Sequence, residues 1–223
     1  MTGTDPGPGG PPDRPRTVDD LVAAWAAFAG LIEPLGDAAW RRPTRCTGWE
    51  VRHVAGHVVG MTVDAAAGRP TTDPDAQAAT FGRLDPPRAA RTLSEAAAPL
   101  ATVLAGVTAE QWAAPLGDRF PTLGEAVLTL LHDLHVHGDD IAVALGRDAW
   151  DGPGRWASVT TAVLRLRRRG WSGPAVVVDG REVLPGDAPA VRTTAHAFVL
   201  AATGRLDPVT LGLDRRVDIY APG

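Results

Sequence analysis

Residues 122–146, TLGEAVLTLLHDLHVHGDDIAVALG, decide the fold of this chain. Apolar residues recur along this segment at intervals of three and four, which predicts a long amphipathic helix with one buried face. Its centre, HDLHVHGDD at 132–140, carries three of the six histidines in the chain. A helix with one apolar face needs partner helices, and segments with the same spacing occur earlier in the sequence.

Three earlier segments predict helices that can pack against this one. The first is preceded by Thr17 and Asp20, which form a plausible N-terminal cap. Together with 122–146, the three segments predict a four-helix bundle. The three earlier segments cover about 18–34, from TGWEV at 47–51 to about 67, and 92–107. Between the last two, residues 69–91 are rich in Pro, Asp and Arg and predict a long loop.

The composition changes on both sides of the bundle. Residues 1–16 are rich in Pro and Gly and predict a disordered leader, whereas residues 17–150 form the predicted bundle. Residues 151–223 predict a small α+β appendage, so the fold class is mainly α. Its predicted elements are a helix at 155–169, a hairpin at 174–186 that turns at Asp179-Gly180, a helix at 191–205 and a last strand at 215–223.

The bulk properties exclude several classes of function. The chain has 223 residues, a net charge of −4 and no lysine, which argues against a nucleic-acid partner and against Schiff-base catalysis. It has no apolar run of membrane-spanning length. Cys46 is its one cysteine, which fits a reducing cytoplasm. The oligomeric state stays open between a monomer and a homodimer.

Four polar side chains lie near the apolar faces of two predicted helices. His57 lies on the shoulder of the helix that follows TGWEV. Asp133 and His137, four residues apart, share a shoulder of the 122–146 helix, and Asp140 follows. Two imidazoles and a carboxylate match the three protein ligands of catalytic zinc, with Asp140 available to orient one histidine. A hydrogen-bonded polar edge gives the same spacing, so the pattern leaves both interpretations open.

Two separated motifs resemble the mycothiol-dependent maleylpyruvate isomerase family, which is part of the DinB-like set of metal-binding four-helix bundles. They are PTRCTGWEVRHVAGH at 43–57 and DLHVHGDDIAVALGR at 133–147. The resemblance covers most of residues 17–150. It implies a divalent metal, most simply zinc, held by His57, Asp133 and His137. It also implies mycothiol as cofactor or co-substrate, bound to the metal as thiolate.

The implied function is that of a mycothiol S-transferase or a mycothiol-dependent isomerase acting on a small electrophile. A metal-dependent hydrolase that needs no thiol, a sulfur-adding biosynthetic enzyme and a non-catalytic small-molecule-binding protein are the alternatives. No residue is assigned as a catalytic acid or base. Three arginines in or beside the predicted loop are candidates for holding a carboxylated substrate. They are Arg83, Arg88 and Arg91.

Two positions depart from the pattern of the family that the chain resembles. The isomerases have Glu where this chain has Asp133, which is one methylene shorter. Many members have Trp where this chain has Asp139. These differences leave the metal site in place as an expectation, and they leave the substrate and the identity of the metal open.

Overall fold

The computed structural model describes residues 12–69, 73–116 and 120–221. Most of the predicted leader, residues 1–11, lies outside the described residues. Contacts divide the chain into two compact units, one comprising Asp13–Gly154 and the other containing Arg155–Gly223. None of the helices within the described part of the chain is long and apolar enough to cross a membrane.

The Asp13–Gly154 unit is helical. Its helices are α1 (Arg14–Ile32), α2 (Asp37–Trp40), α3 (Val51–Ala66), α4 (Pro74–Phe81), α5 (Pro86–Gly106), α6 (Ala109–Ala113) and α7 (Leu123–Ala144). Four of them form a closed ring in which α1 and α3 each contact both α5 and α7, so the predicted four-helix bundle is confirmed.

One apolar side chain from each long helix shows where the core of the bundle lies. Phe28 of α1, Val58 of α3 and Leu93 of α5 are fully buried, and Leu131 of α7 is 1% exposed. Burying one such side chain stabilises the fold by roughly 1.5–3 kcal/mol, before the cost of ordering it. All four helices therefore contribute apolar side chains to one buried core.

The first helix begins earlier than the sequence predicted. The Asp13 carboxylate accepts a hydrogen bond of 3.0 Å from the backbone N–H of Arg16, which caps α1 at Arg14. The predicted cap at Thr17 and Asp20 is therefore wrong, and Thr17 is buried within the helix. Residues 14–16 of the predicted leader are helical as a result.

The predicted long loop at 69–91 is also wrong, because it contains all of α4 and the start of α5. Two Asp-Pro pairs, which read as loop composition, are helix starts. Asp73 accepts from the N–H of Ala76 at 2.9 Å, and Asp85 accepts from the N–H of Arg88 at 2.8 Å. In each pair proline occupies the first helical position, where its missing N–H costs nothing.

The Arg155–Gly223 unit combines helices with a three-stranded sheet. The elements of this unit are α8 (Arg155–Arg168), β1 (Pro174–Val178), β2 (Arg181–Leu184), β3 (Asp187–Thr193) and α9 (Ala195–Ala202). The strand order is β2–β1–β3, with β1 antiparallel to β2 and parallel to β3. The predicted hairpin is confirmed: Asp179 and Gly180 both have positive φ, of 46° and 81°, as a two-residue turn requires.

Two predictions for this unit need correction. The helix predicted at 191–205 begins only at Ala195, because Thr194 caps it, and Val191–Thr193 belong to β3. The last strand predicted at 215–223 is instead a 3₁₀ turn, Arg215–Val217. The Asp214 carboxylate caps that turn by accepting a hydrogen bond of 2.8 Å from the backbone N–H of Arg216. This local hydrogen bond stabilises the turn over an extended strand.

Candidate metal centre

The segment that precedes α3 folds into a tight turn. The backbone N–H and the hydroxyl of Thr44 both donate to the carbonyl of Trp49, at 3.0 and 2.8 Å. Gly48 supplies the left-handed conformation, with φ of 80°, that this turn requires. Glu50 then caps α3, and Nδ1 of His53 accepts from the N–H of Glu50 at 3.1 Å. His53 is thus part of the helix cap.

His57 and His137 lie beside each other. His57 is 8% exposed on α3, and its ring stands perpendicular to that of His137 on α7, with 5.1 Å between the ring centroids. The Trp49 ring lies 5.6 Å from that of His57. Two histidines that the sequence analysis assigned to one site therefore meet across two helices.

Asp133, the third predicted ligand, lies one turn before His137 on α7 and is half-buried. Its carboxylate is close enough to His57 to raise the pKa of that imidazole. The three predicted ligands thus share one electrostatic environment.

Burial controls the charge of His57. It lowers the pKa of His57 from 6.5 to about 4, and the neighbouring His137 acts in the same direction. The Asp133 carboxylate and the hydrogen bond between His57 and the Gln77 amide oxygen oppose this effect without outweighing it. His57 is therefore neutral at neutral pH, and the neutral imidazole is the form that binds a metal ion.

Gln77 on α4 is a member of the site that the sequence analysis missed. Its Oε1 lies 2.8 Å from Nδ1 of His57, and its Nε2 donates to Asp64 at 2.8 Å. Gln77 was hidden within the predicted loop. The Asp73-Pro74 pair, a cap followed by proline, was the signal for the helix that carries it.

Asp140 is the centre of a second cluster beside His137. Fully buried, its carboxylate accepts from Nδ1 of His137 at 3.0 Å and from the thiol of Cys46 at 3.3 Å. The Arg45 guanidinium binds Asp140 at 2.9 and 3.1 Å and Asp139 at 2.6 Å. Arg45 was also missed, since a charge pair between distant segments leaves no local sequence pattern.

Two groups of residues compete as metal ligands. Cys46, His137 and Asp140 have ligand atoms that all lie within 4.8 Å of one another, whereas the sequence analysis named His57, Asp133 and His137. The guanidinium of Arg45 already compensates Asp140, and a metal ion there would face that cation. The Cys46 group is therefore better explained as a hydrogen-bonded cluster.

The hydrogen bonds of His57 and His137 determine which ring nitrogen each could offer to a metal ion. Both histidines use Nδ1 for hydrogen bonds, to Gln77 and to Asp140, so Nε2 of each is the nitrogen that would bind an ion. Asp133, which acts electrostatically on His57, is the carboxylate that the sequence analysis named with these two histidines. Two imidazoles and one carboxylate make a donor set that zinc accepts.

The three candidate arginines lie around the junction of α4 and α5. Arg83 follows α4, and Arg88 and Arg91 lie in the first two turns of α5; all three are exposed. Of the two other histidines in 132–140, His132 is fully buried, and Nδ1 of His135 lies 3.2 Å from the carbonyl oxygen of Pro153.

Comparison with known proteins identifies the fold and the family. The crystal structure of the mycothiol-dependent maleylpyruvate isomerase resembles the chain with a TM-score of 0.64 and 15% identity, covering 87% of this chain and 90% of that one. A histidine-to-alanine mutant of that isomerase gives a TM-score of 0.59 and 14% identity over the same shares. Identities this low show the fold alone. No curated protein matches significantly.

A family model, described as the mycothiol maleylpyruvate isomerase N-terminal domain, matches residues 21–142, which is more than half of the sequence. The chain therefore belongs to that family of enzymes.

Proposed function

We propose that this chain is a metal-dependent enzyme that uses mycothiol as cofactor or co-substrate and acts on a small electrophile. One observation carries the proposal: His57 and His137 meet, with Asp133 acting electrostatically on His57, in a chain of the mycothiol maleylpyruvate isomerase family. The same three residues are the ones that the sequence motifs implied.

In this proposal His57, Asp133 and His137 hold a divalent metal, and zinc suits the set best. Three protein ligands leave a fourth position open. When bound, the metal lowers the pKa of a thiol that it binds and so supplies a thiolate near neutral pH. Mycothiol is the thiol proposed, because the family is named for its use.

The surrounding residues orient the ligands. Asp140 accepts from Nδ1 of His137 and so turns Nε2 of that ring toward the proposed site. Arg45 holds Asp140 in place through two contacts. The Trp49 ring covers one side of His57 and reduces the access of water to it.

Two reactions follow from one proposed chemistry. In an isomerisation the thiol sulfur adds to a carbon–carbon double bond and leaves again after rotation, so the thiol is regenerated. In a transfer the carbon–sulfur bond persists, the leaving group departs with the bonding electrons, and the product keeps the sulfur. A sulfur-adding biosynthetic step is a transfer of this kind. For an anionic substrate we propose Arg83, Arg88 and Arg91 as the carboxylate-binding residues.

The proposal includes the role of each domain, the compartment and the oligomeric state. We propose that residues 17–150 carry the metal and the thiol and that residues 151–223 form an appended domain. We also propose a cytoplasmic monomer or homodimer. The single Cys46 and the charge of −4 support a reducing compartment and small-molecule partners rather than nucleic acid.

The test is an assay of the zinc-loaded protein with and without mycothiol. The substrates are maleylpyruvate and a neutral haloarene, and an ester serves as the hydrolase substrate. We expect turnover of maleylpyruvate or of the haloarene only with mycothiol and loss of turnover in His57→Ala. His196→Ala, which removes a histidine of α9, should retain turnover. Ester hydrolysis without mycothiol would instead support the thiol-independent hydrolase and contradict the proposal.

A further inference from the structure

Gln77 is the middle member of a hydrogen-bonded chain that runs from Asp64 to His57. Its amide nitrogen lies 2.8 Å from Oδ2 of Asp64, and its amide oxygen lies 2.8 Å from Nδ1 of His57. Gln77 is 6% exposed, so solvent offers its amide little alternative. Because an ionised carboxylate only accepts hydrogen bonds, Asp64 requires the amide nitrogen on its side. The amide oxygen must then face His57.

This orientation determines where His57 carries its proton. An amide oxygen only accepts, so Nδ1 of His57 is the protonated nitrogen. In a neutral imidazole the other nitrogen then holds the lone pair. That nitrogen is Nε2, the atom that would bind the ion in the proposed site.

We propose that Gln77 and Asp64 are positioning residues that hold His57 in the Nδ1–H tautomer and so present Nε2 as a metal ligand. The tautomer follows from the hydrogen bonds alone. Its use for metal binding rests on the proposed function. Helix α4, which sequence reasoning took for a loop, thereby becomes part of the metal site.

Close packing keeps Gln77 in place. Gly60 of α3 lies beneath it, and a Cβ added there would come within 2.7 Å of Cβ of Gln77. Gly56, one turn earlier, lies against the backbone of Gly82 in the same way. At the other end of α4, Nε1 of Trp49 donates to Asp75 at 3.0 Å. These contacts leave the Gln77 side chain little room to turn away from His57.

The neutral amide at position 77 has a specific advantage over a carboxylate. A Glu there would face Asp64 across 2.8 Å and repel it. An apolar residue of similar length would leave Nδ1 of His57 without an acceptor. An amide donates to Asp64 and accepts from His57 at once.

A structural role without control of the tautomer is the competing explanation, and two variants separate the two. Asp64→Asn replaces an obligatory acceptor by a group that can also donate, so the Gln77 amide can rotate. It can then offer its N–H to Nδ1 of His57, which favours the wrong tautomer. Gln77→Met keeps the side-chain length and removes the acceptor.

Asp75→Asn is the matched control. Like Asp64→Asn, it removes one carboxylate charge near His57, since Asp75 also acts on that imidazole. An amide oxygen still accepts from Trp49 at this position, and the Gln77 amide keeps its orientation. A difference between the two Asn variants therefore reports the tautomer and not the charge.

The experiment has two readouts. Long-range ¹H–¹⁵N NMR of the metal-free protein at neutral pH identifies the protonated nitrogen of His57. Competition with a chromophoric chelator gives the Kd for zinc. We expect Nδ1–H in the wild type and in Asp75→Asn, and mixed or reversed tautomers in Asp64→Asn and Gln77→Met. The Kd should rise roughly 10- to 100-fold in the latter two, the range typical of lost outer-shell partners.

The two proposals fail differently. If the wild type shows Nε2–H, or if Asp64→Asn and Gln77→Met leave the tautomer unchanged, the inference about Gln77 is overturned even where zinc binds tightly. If the tautomers behave as expected but the wild type binds no zinc, the positioning role stands and the proposed metal-dependent function fails.

Discussion

Arg45 donates hydrogen bonds to the buried carboxylate of Asp140 from Nε at 3.1 Å and from one terminal nitrogen at 2.9 Å. The same terminal nitrogen donates to Asp139 at 2.6 Å. The side chains of Asp139 and Asp140 are 3% and 0% exposed, and that of Arg45 is 25% exposed. One cation thus binds two adjacent buried carboxylates. Because Asp140 also binds His137, this ion pair connects the stability of the bundle to the candidate metal centre.

The first prediction concerns the loss of that cation. Arg45→Met leaves two buried carboxylates without it, and we expect the free energy of unfolding to fall by about 3–5 kcal/mol. Urea denaturation of the two proteins measures the change. Arg16→Met is the control, because the exposed pair with Asp20 at 4.0 Å should contribute less than about 1 kcal/mol. Equal losses in the two variants would contradict the assignment of Arg45.

The second prediction separates the two possible ligand groups. Cys46→Ser keeps a hydroxyl donor for Asp140 but replaces the soft sulfur by an oxygen that binds zinc poorly. If His57, Asp133 and His137 are the ligands, we expect the Kd for zinc to change less than about threefold, well under the loss that follows removal of even an outer-shell partner. A loss of zinc in Cys46→Ser would assign the metal to Cys46, His137 and Asp140 instead.

The third prediction is a pH dependence of stability in the metal-free protein. The pKa of His57 is about 4 in the fold and about 6.5 when the chain is unfolded. Between these values the unfolded chain binds more protons, so the free energy of unfolding falls as the pH falls. The contribution is complete above pH 6.5 and declines down to about pH 4, by on the order of 3 kcal/mol.

Denaturation of the chelator-treated wild type and of His57→Gln across this range checks the expectation. The variant cannot take up the proton at this position, so its stability should decline less steeply than that of the wild type below pH 6.5. Parallel curves for the two proteins would show that His57 is not the buried, neutral imidazole described above.

Local signals in the sequence were sufficient for the bundle. The helical spacing of apolar residues in 122–146 and its partners predicted the ring of four helices. The same spacing placed His57, Asp133 and His137 on helix shoulders, and the structure brings the rings of His57 and His137 together. The Asp179-Gly180 pair predicted the hairpin, because few other residues accept its positive φ angles.

The features that the sequence did not predict lack local signals, and the cause differs for each. Helix α4 is two turns long and buries Gln77 and Ala78, so it has no apolar stripe to recognise, and its Asp-Pro start reads as loop composition. Arg45 acts on residues more than ninety positions away, at a separation where spacing carries no information. The end of the chain alternates in polarity like a strand, but the Asp214 cap closes it into a turn.

The most direct test of the central claim is the metal content of the purified protein, measured by inductively coupled plasma mass spectrometry. It is measured for the wild type, His57→Ala, Asp133→Ala and His196→Ala after zinc reconstitution. The proposed site predicts close to one zinc per chain in the wild type and in His196→Ala, and almost none in the other two. Zinc retained in His57→Ala and Asp133→Ala, or absent from the wild type, would contradict it.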